Sequence, residues 1–226
     1  MIKAVIFDID GTLIDSVGEH AESWVRTFKK FGKEISIEEA KKLIGMGSDQ
    51  FLGDYFTKEE IEEKKREIDK YRSELFAAEY MSKIKPFPKI RELFLKLKED
   101  GIKIALASSA TEEEVEKYEE IACIKDLVEK KTSADDAAES KPEPDIFQAA
   151  FDKLGRIDKQ CVVVIGDTPY DAIAAKKAEL NCIGVLTGGW SEEKLLESGC
   201  WKVFQDINEI FEEGYKTAFN VTTELK

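Results

Sequence analysis

The stretch Val5-Ile6-Phe7-Asp8-Ile9-Asp10-Gly11-Thr12-Leu13-Ile14-Asp15-Ser16 decides how the chain is read. An apolar run that stops at two carboxylates separated by one residue, with Gly-Thr next, describes a buried strand delivering acid groups to its C-terminal edge. Open α/β sheets keep their chemistry at such edges. Taken alone, the same residues would also suit a strand capped by a polar turn, since Asp and Gly are ordinary turn residues.

Beyond this strand the pattern turns helical and stays so. Ala21, Trp24, Val25 and Phe28 recur at helical spacing over residues 18–31, with Gly32 as a stop. Ser36 followed by Glu39 is a capping box that opens a short helix over 37–44. Gly45-Met46-Gly47-Ser48-Asp49 reads as a flexible loop. Residues 57–83 are heavily charged, yet Ile61, Ile68, Tyr71, Leu75 and Ala78 form one stripe, which predicts a long amphipathic helix with a solvated face. Pro86-Phe87-Pro88 marks a boundary, and no strand is expected between Ser16 and Lys85.

Strands then alternate with helices, the signature of a parallel sheet with crossover connections. Strands are predicted over 102–107, weakly over 127–130, then over 161–165, 182–186 and 201–204. Helices are predicted over 88–99, 111–121, 142–155 (opened by Pro142, closed by Gly155) and 170–179. The expected architecture is α/β: a Rossmann-like parallel sheet with helices on both faces, interrupted by an all-helical insertion. Residues 1–15 and 86–226 would form the core, and residues 16–85 the insertion.

Composition narrows the function. The 226 residues are 42% hydrophobic, as in a globular chain, and carry a net charge of -13. That field repels nucleic acid and anionic membranes, so neither is expected as a partner. A small anionic substrate would need a local cation. Cys123, Cys161, Cys182 and Cys200 show no Cys-x-x-Cys pairing and read as reduced core residues. With no signal-peptide pattern and no apolar run of membrane length, a cytoplasmic protein is the expectation.

The chemistry lies in residues gathered at successive strand ends. The first strand offers Asp8 and Asp10, and the second ends in Ser108-Ser109. Lys141 precedes a proline-opened helix, and the next strand ends in Gly166-Asp167-Thr168-Pro169-Tyr170-Asp171. Each alone is an ordinary turn or a solvated lysine. Together they suit phosphoryl transfer through an aspartyl intermediate. A carboxylate attacking a phosphate dianion needs a divalent cation and donors around the transferring group. Asp8 and Asp167 supply carboxylates for Mg2+ and a backbone carbonyl near Asp10 a third oxygen. The Ser108 hydroxyl, the Ser109 N–H and the Lys141 ammonium neutralise phosphoryl oxygens. Asp8, held on the metal, is then the nucleophile. Asp10 protonates the leaving alcohol and later activates water.

These residues resemble the four motifs of the haloacid dehalogenase-like hydrolase superfamily: Asp8-Ile9-Asp10-Gly11-Thr12, Ser108, Lys141 in Ser140-Lys141-Pro142-Glu143-Pro144-Asp145, and Gly166-Asp167-Thr168-Pro169-Tyr170-Asp171. The helical insertion resembles the family's mobile cap, beside phosphoglycolate phosphatase and β-phosphoglucomutase. The resemblance implies catalytic Asp8 and Asp10, phosphate ligands Thr12, Ser108, Ser109 and Lys141, and a magnesium site of Asp8, Asp10 and Asp167 supported by Asp171. Mutases of that type carry Glu-Asp where Gly166-Asp167 stands and a basic residue where Gly47-Ser48-Asp49 stands, which favours a phosphatase. His20 and Trp24 resemble the mutase's first cap helix and keep that alternative open. At i and i+4 on one helical face, they equally suit cap core. Gly47 and Ser48, with His20 and Trp24, are the candidate substrate contacts of the cap. The expected protein is a phosphatase of a small phosphorylated metabolite, a sugar phosphate or phosphoglycolate-like ester, as a monomer or weak homodimer. The alternatives are a sugar-phosphate mutase and a non-catalytic phosphate-binding protein.

Overall fold

The computed structural model describes residues 1–219. The chain opens with β1 (Ala4–Phe7), β2 (Ile14–Asp15), α1 (Val17–Lys30), α2 (Ile37–Leu43), α3 (Ser48–Phe51) and α4 (Lys58–Glu79). It continues with β3 (Lys85–Pro86), α5 (Ile90–Glu99), β4 (Lys103–Ala107), α6 (Glu112–Ile121), β5 (Lys130–Thr132), α7 (Asp145–Leu154) and β6 (Val162–Gly166). The last elements are α8 (Pro169–Lys177), β7 (Asn181–Val185), α9 (Glu192–Ser198), β8 (Cys200–Phe204), α10 (Ile207–Glu213) and α11 (Tyr215–Ala218).

Six strands pair in parallel in the order β5-β4-β1-β6-β7-β8. Side chains of one strand alternate between the faces, so the apolar runs supply two cores at once. Val5, Phe7, Ile104, Leu106, Val163 and Ile165 pack on one side with Leu93, Phe94, Val115 and Tyr118 from α5 and α6. Ala4, Ile6, Ala105, Val162 and Val164 pack on the other with α7 and α8 through Ile146, Phe147, Ala150 and Ala175. Each fully buried Val, Leu, Ile or Phe side chain contributes about 1.5–3 kcal/mol. Strand order reverses direction around β1, and that switch point opens a crevice at the C-terminal ends of β1, β4 and β6.

The helical insert has an apolar centre of its own, in which Trp24, Phe28, Leu43, Phe51, Phe56 and Ile68 meet. Capping boxes at Ser36–Glu39 and Thr57–Glu60 start α2 and α4. Leu75, Phe76 and Tyr80 leave this centre and join the core against the sheet.

Several boundaries differ from the sequence reading. A two-residue antiparallel ribbon pairs Ile14 with Pro86 and Asp15 with Lys85, too short to show a period. The fifth strand lies at Lys130–Thr132 rather than 127–130, because Leu127 serves the core before the strand starts. Pro142 does not open a helix. It follows a cis peptide from Lys141, and α7 begins three residues later at Asp145. Along α4, Phe76 is buried and Ala78 exposed, so the stripe shifts by a residue or two. Cys123 is exposed and Cys161 half-buried; only Cys182 and Cys200 are core residues. No helix among the described residues is long and apolar enough to cross a membrane. The sequence after Gly214 was expected to carry no chemistry; α11 occupies its start, and 220–226 lie outside the described residues.

Candidate active site

The end of β1 carries Asp8, the end of β4 carries Ser108, and the end of β6 carries Asp167, so three neighbouring strands deliver their following residues to one crevice. A cleft of about 370 Å³ opens over it, lined by Asp8, Asp10, Ser108, Ser109 and Lys141 on the sheet side.

Beneath the cleft lies a buried charge cluster. Single carboxylate oxygens of Asp8, Asp167 and Asp171 lie within 4.8 Å of one another. Lys141, fully buried, donates from Nζ to Asp8 Oδ1, reaches Asp171 Oδ1 at 2.8 Å, and is 3.5 Å from the Ala107 carbonyl. Thr12 Oγ1 donates to Asp167 Oδ1 at 2.9 Å and to Asp8 Oδ2 at 3.3 Å. Asp171 has a double role. Its Oδ2 accepts from the Thr168 N–H at 3.0 Å and hydroxyl at 2.6 Å, which caps α8 and fixes the carboxyl.

Three acids against one ammonium leave excess negative charge away from water. Burial foremost, with Asp171 and Asp10 adding and Lys141 opposing, pushes Asp8 up to about 7. Burial and the Asp8 charge raise Asp167 well above the usual carboxylate range. Asp167 Oδ2 is buried with no hydrogen-bond partner. It sits in a cradle of glycines, since a Cβ on Gly11 or Gly188 would run into its carboxylate. An orphaned buried oxygen among clustered acids is the donor set that a hard divalent cation takes. The residues therefore fit a metal ion.

Asp10 points away from that cluster. Its Oδ1 accepts from Ser16 Oγ at 2.7 Å and from His20 Nε2 at 2.7 Å. His20 Nδ1 meets the Arg72 guanidinium, which can only donate, so Nδ1 accepts and Nε2 carries the hydrogen. The His20 ring stacks on Phe76 at 3.9 Å and lies 3.0 Å from the Tyr118 hydroxyl. Arg72 continues the chain to Glu114 on α6, 3.2 Å away. Burial raises the Asp10 carboxyl, but His20, Ser16 and Arg72 together outweigh it and hold it at about 2. Burial, then the Asp10 and Glu114 charges, push the Tyr118 hydroxyl well up. Two carboxylates two residues apart thus stand in opposite environments.

The signature of haloacid dehalogenase-like hydrolases matches residues 5–185. The chain belongs to that family. As a haloacid dehalogenase-like hydrolase it is 32% identical over 237 residues to Protein SUPPRESSOR OF QUENCHING 1, chloroplastic, of Arabidopsis thaliana, covering 100% of this chain but 22% of that longer protein. It is 30% identical to Phosphoglycolate phosphatase of Aquifex aeolicus (strain VF5), over 83% of this chain and 86% of the relative. A solved Bacteroides vulgatus structure, provisionally named a beta-phosphoglucomutase, superposes with a TM-score of 0.80 at 27% identity, over 96% of this chain and 88% of that one.

Against this family frame, the structure brings Asp8, Asp10, Ser108, Ser109, Lys141, Asp167 and Asp171 to one place. Thr12, expected on phosphate, is fully buried and spends its hydroxyl on the carboxylates. Asp10 Oδ1 is taken by Ser16 and His20 and the side chain stands outside the Asp8–Asp167–Asp171 cluster, the metal contact expected there being a main-chain carbonyl. Trp24 lines the cleft yet is 7% exposed, its ring edge-on to Phe51 and covered by Arg72, as expected of insert core. His20 lines the cleft too, but its ring nitrogens are spent on Asp10 and Arg72. The Gly45–Gly47 stretch is close-packed: a Cβ on Gly45 would meet Thr168 at 2.8 Å and one on Gly47 would strike Ser140. Ser48, expected in the loop, begins α3. Tyr118, Arg72 and Glu114 had no sequence signal; each looked like one more residue of a charged amphipathic helix.

Proposed function

We propose that the chain is a Mg2+-dependent phosphatase that hydrolyses a small phosphorylated metabolite through an aspartyl-phosphate intermediate, with residues 16–85 acting as its cap. The observation that carries this reading is the split between Asp8, on the lysine and the acid cluster, and Asp10, on His20 at the other side of the same cleft.

Asp8, Asp167 and the Asp10 main-chain carbonyl would hold the cation, with Asp171 in support. Once bound, it neutralises the acid cluster and keeps Asp8 ionised. The Asp8 carboxylate attacks phosphorus, while Ser108, the Ser109 N–H and Lys141 meet the phosphoryl oxygens. Asp10 gives its proton to the departing alkoxide, a role that requires the negative ester beside it to raise its carboxyl. As a carboxylate oriented by His20 and Ser16, Asp10 then takes a proton from the water that attacks the acyl phosphate. Inorganic phosphate leaves and Asp8 is regenerated.

The likeness to the Bacteroides vulgatus chain supports a second reading, a sugar-phosphate mutase that returns phosphate to substrate. A phosphate-release screen over sugar phosphates, phosphoglycolate and nucleotides, with product isomers followed by NMR, separates the two. Free phosphate without an isomer is expected; an isomer without free phosphate selects the mutase. No turnover of any ester in Mg2+ rejects both.

A further inference from the structure

The part of the cleft that faces the sheet is accounted for by phosphate; the opposite wall is not. It is built from residues 44–49 and from one face of α4, where Lys65, Asp69, Arg72 and Ser73 fall at i, i+4, i+7 and i+8, with Ser48 at the start of α3 beside them. Lys65 Nζ lies 2.7 Å from Asp69 Oδ2 and 3.1 Å from Ser48 Oγ, and the Lys65 and Asp69 side chains are each 37% exposed.

We infer that this wall recognises a neutral, polyhydroxylated leaving group, so that the substrate is the phosphate monoester of a sugar or polyol rather than of an acid. The inference rests on the phosphatase reading above. A second anionic group, carboxylate or phosphate, needs an unpaired cation, and the wall offers none. Arg72 is paired with Glu114 and donates to His20, only its buried Nε lacking a partner, and its guanidinium is stacked over Trp24 and Phe76 at 5.6 and 5.0 Å. Lys65 is paired with Asp69. Beyond the phosphate-binding residues the wall carries three carboxylates, Asp49, Asp69 and Glu114, against the two cations Lys65 and Arg72, inside a chain of net charge -13. A second anion is repelled there. Hydroxyls are not: a vicinal diol donates to Asp69, accepts from Lys65, and does either with Ser48 and Ser73. Because both charged side chains are half in water, they exchange a weak mutual contact for substrate at little cost.

The test is steady-state phosphate release by the full chain in Mg2+, with ribose 5-phosphate, glucose 6-phosphate and glycerol 3-phosphate as polyol esters. Phosphoglycolate and pyrophosphate serve as acidic competitors, and p-nitrophenyl phosphate as a reference without hydroxyls. At least one polyol ester is expected to exceed both acidic compounds in kcat/KM by about tenfold or more, the worth of one charge-assisted hydrogen bond. Asp69→Asn and Lys65→Met are expected to lower the ratio of polyol-ester to aryl-ester kcat/KM by about tenfold, mostly through KM. A preference for phosphoglycolate or pyrophosphate overturns the inference, as does a ratio unmoved in both folded variants. Turnover of the aryl ester with no polyol preference overturns it while leaving the phosphatase reading standing; no turnover of any compound removes both.

Discussion

Asp8 and Asp69 each face a lysine across the same cleft, yet Asp8 sits at a strand end with 6% of its side chain exposed and Asp69 rides on a helix with 37% exposed. The Asp8–Lys141 pair is sealed among other acids, where every charge alters its neighbour's proton affinity. The Asp69–Lys65 pair is wet, and its charges are screened. A buried pair is costly to break and therefore fixes a reacting atom; a half-exposed pair is worth less than about 1 kcal/mol and is free to trade partners. On the proposed function, the sheet side of this molecule would serve the chemistry and the α4 side the choice of substrate.

The hardest blow to the sheet side is Asp8→Asn. Phosphate release on any ester should fall by roughly a thousandfold or more, since Asp8 is the proposed nucleophile and an amide cannot form the acyl phosphate; unchanged release would overturn the mechanism. Gly11→Ala comes next. Gly11 has φ +81°, and a Cβ there enters the Asp167 carboxylate. Strain of about 1–3 kcal/mol is expected in urea unfolding. The wild type should also gain melting temperature with Mg2+, as any ligand of the folded state confers, and the variant should lose that gain. A variant that keeps it would show that the glycine cradle does not shape the metal site.

His20→Ala probes the seam between the two sides. With Asp10 freed of one partner, kcat should drop roughly tenfold while KM moves little, a loss of orientation rather than of binding. An equal rise in KM would place His20 on the substrate instead. The smallest effect belongs to Asp49, which accepts from the Ser140 main-chain N–H at 3.2 Å and from Gln50 at 2.9 Å. Burial raises its carboxyl, but these donors outweigh it and leave it below the ordinary 3.8. A depressed carboxyl stabilises the fold above its unfolded value and loses that contribution as pH falls through its folded value. The stability gap between wild type and Asp49→Asn should therefore be under about 1 kcal/mol at pH 7. It should shrink below pH 3.8. Urea melts across that range check the sign.

Much of this was legible in the sequence because it is written in local pattern. Val5–Phe7, Ile104–Ala107 and Val162–Ile165 are buried on both faces, so their apolar runs announce strands, and the motif residues follow directly at their ends. The capping box at Ser36 placed the start of α2 correctly. What stayed hidden depends on contacts between distant segments. Thr12 belongs to Asp167, 155 residues away, and Arg72 finds Glu114 only when the helical insert lies on the core. The loop glycines read as flexible because Gly is permissive. Their use against Thr168 and Ser140 needs the third dimension.

The ribbon that pairs Ile14 with Pro86 and Asp15 with Lys85 carries one further consequence. The chain crosses between the sheet core and the helical insert twice, and the ribbon fastens the outgoing and returning crossings side by side. Two separate tethers would let the insert slide or twist; two tethers laced together behave as a pin joint. On the proposed cap reading, admission of substrate would reduce to a single angle, with Ser16, the first residue past the ribbon, bonded to Asp10 at that pivot.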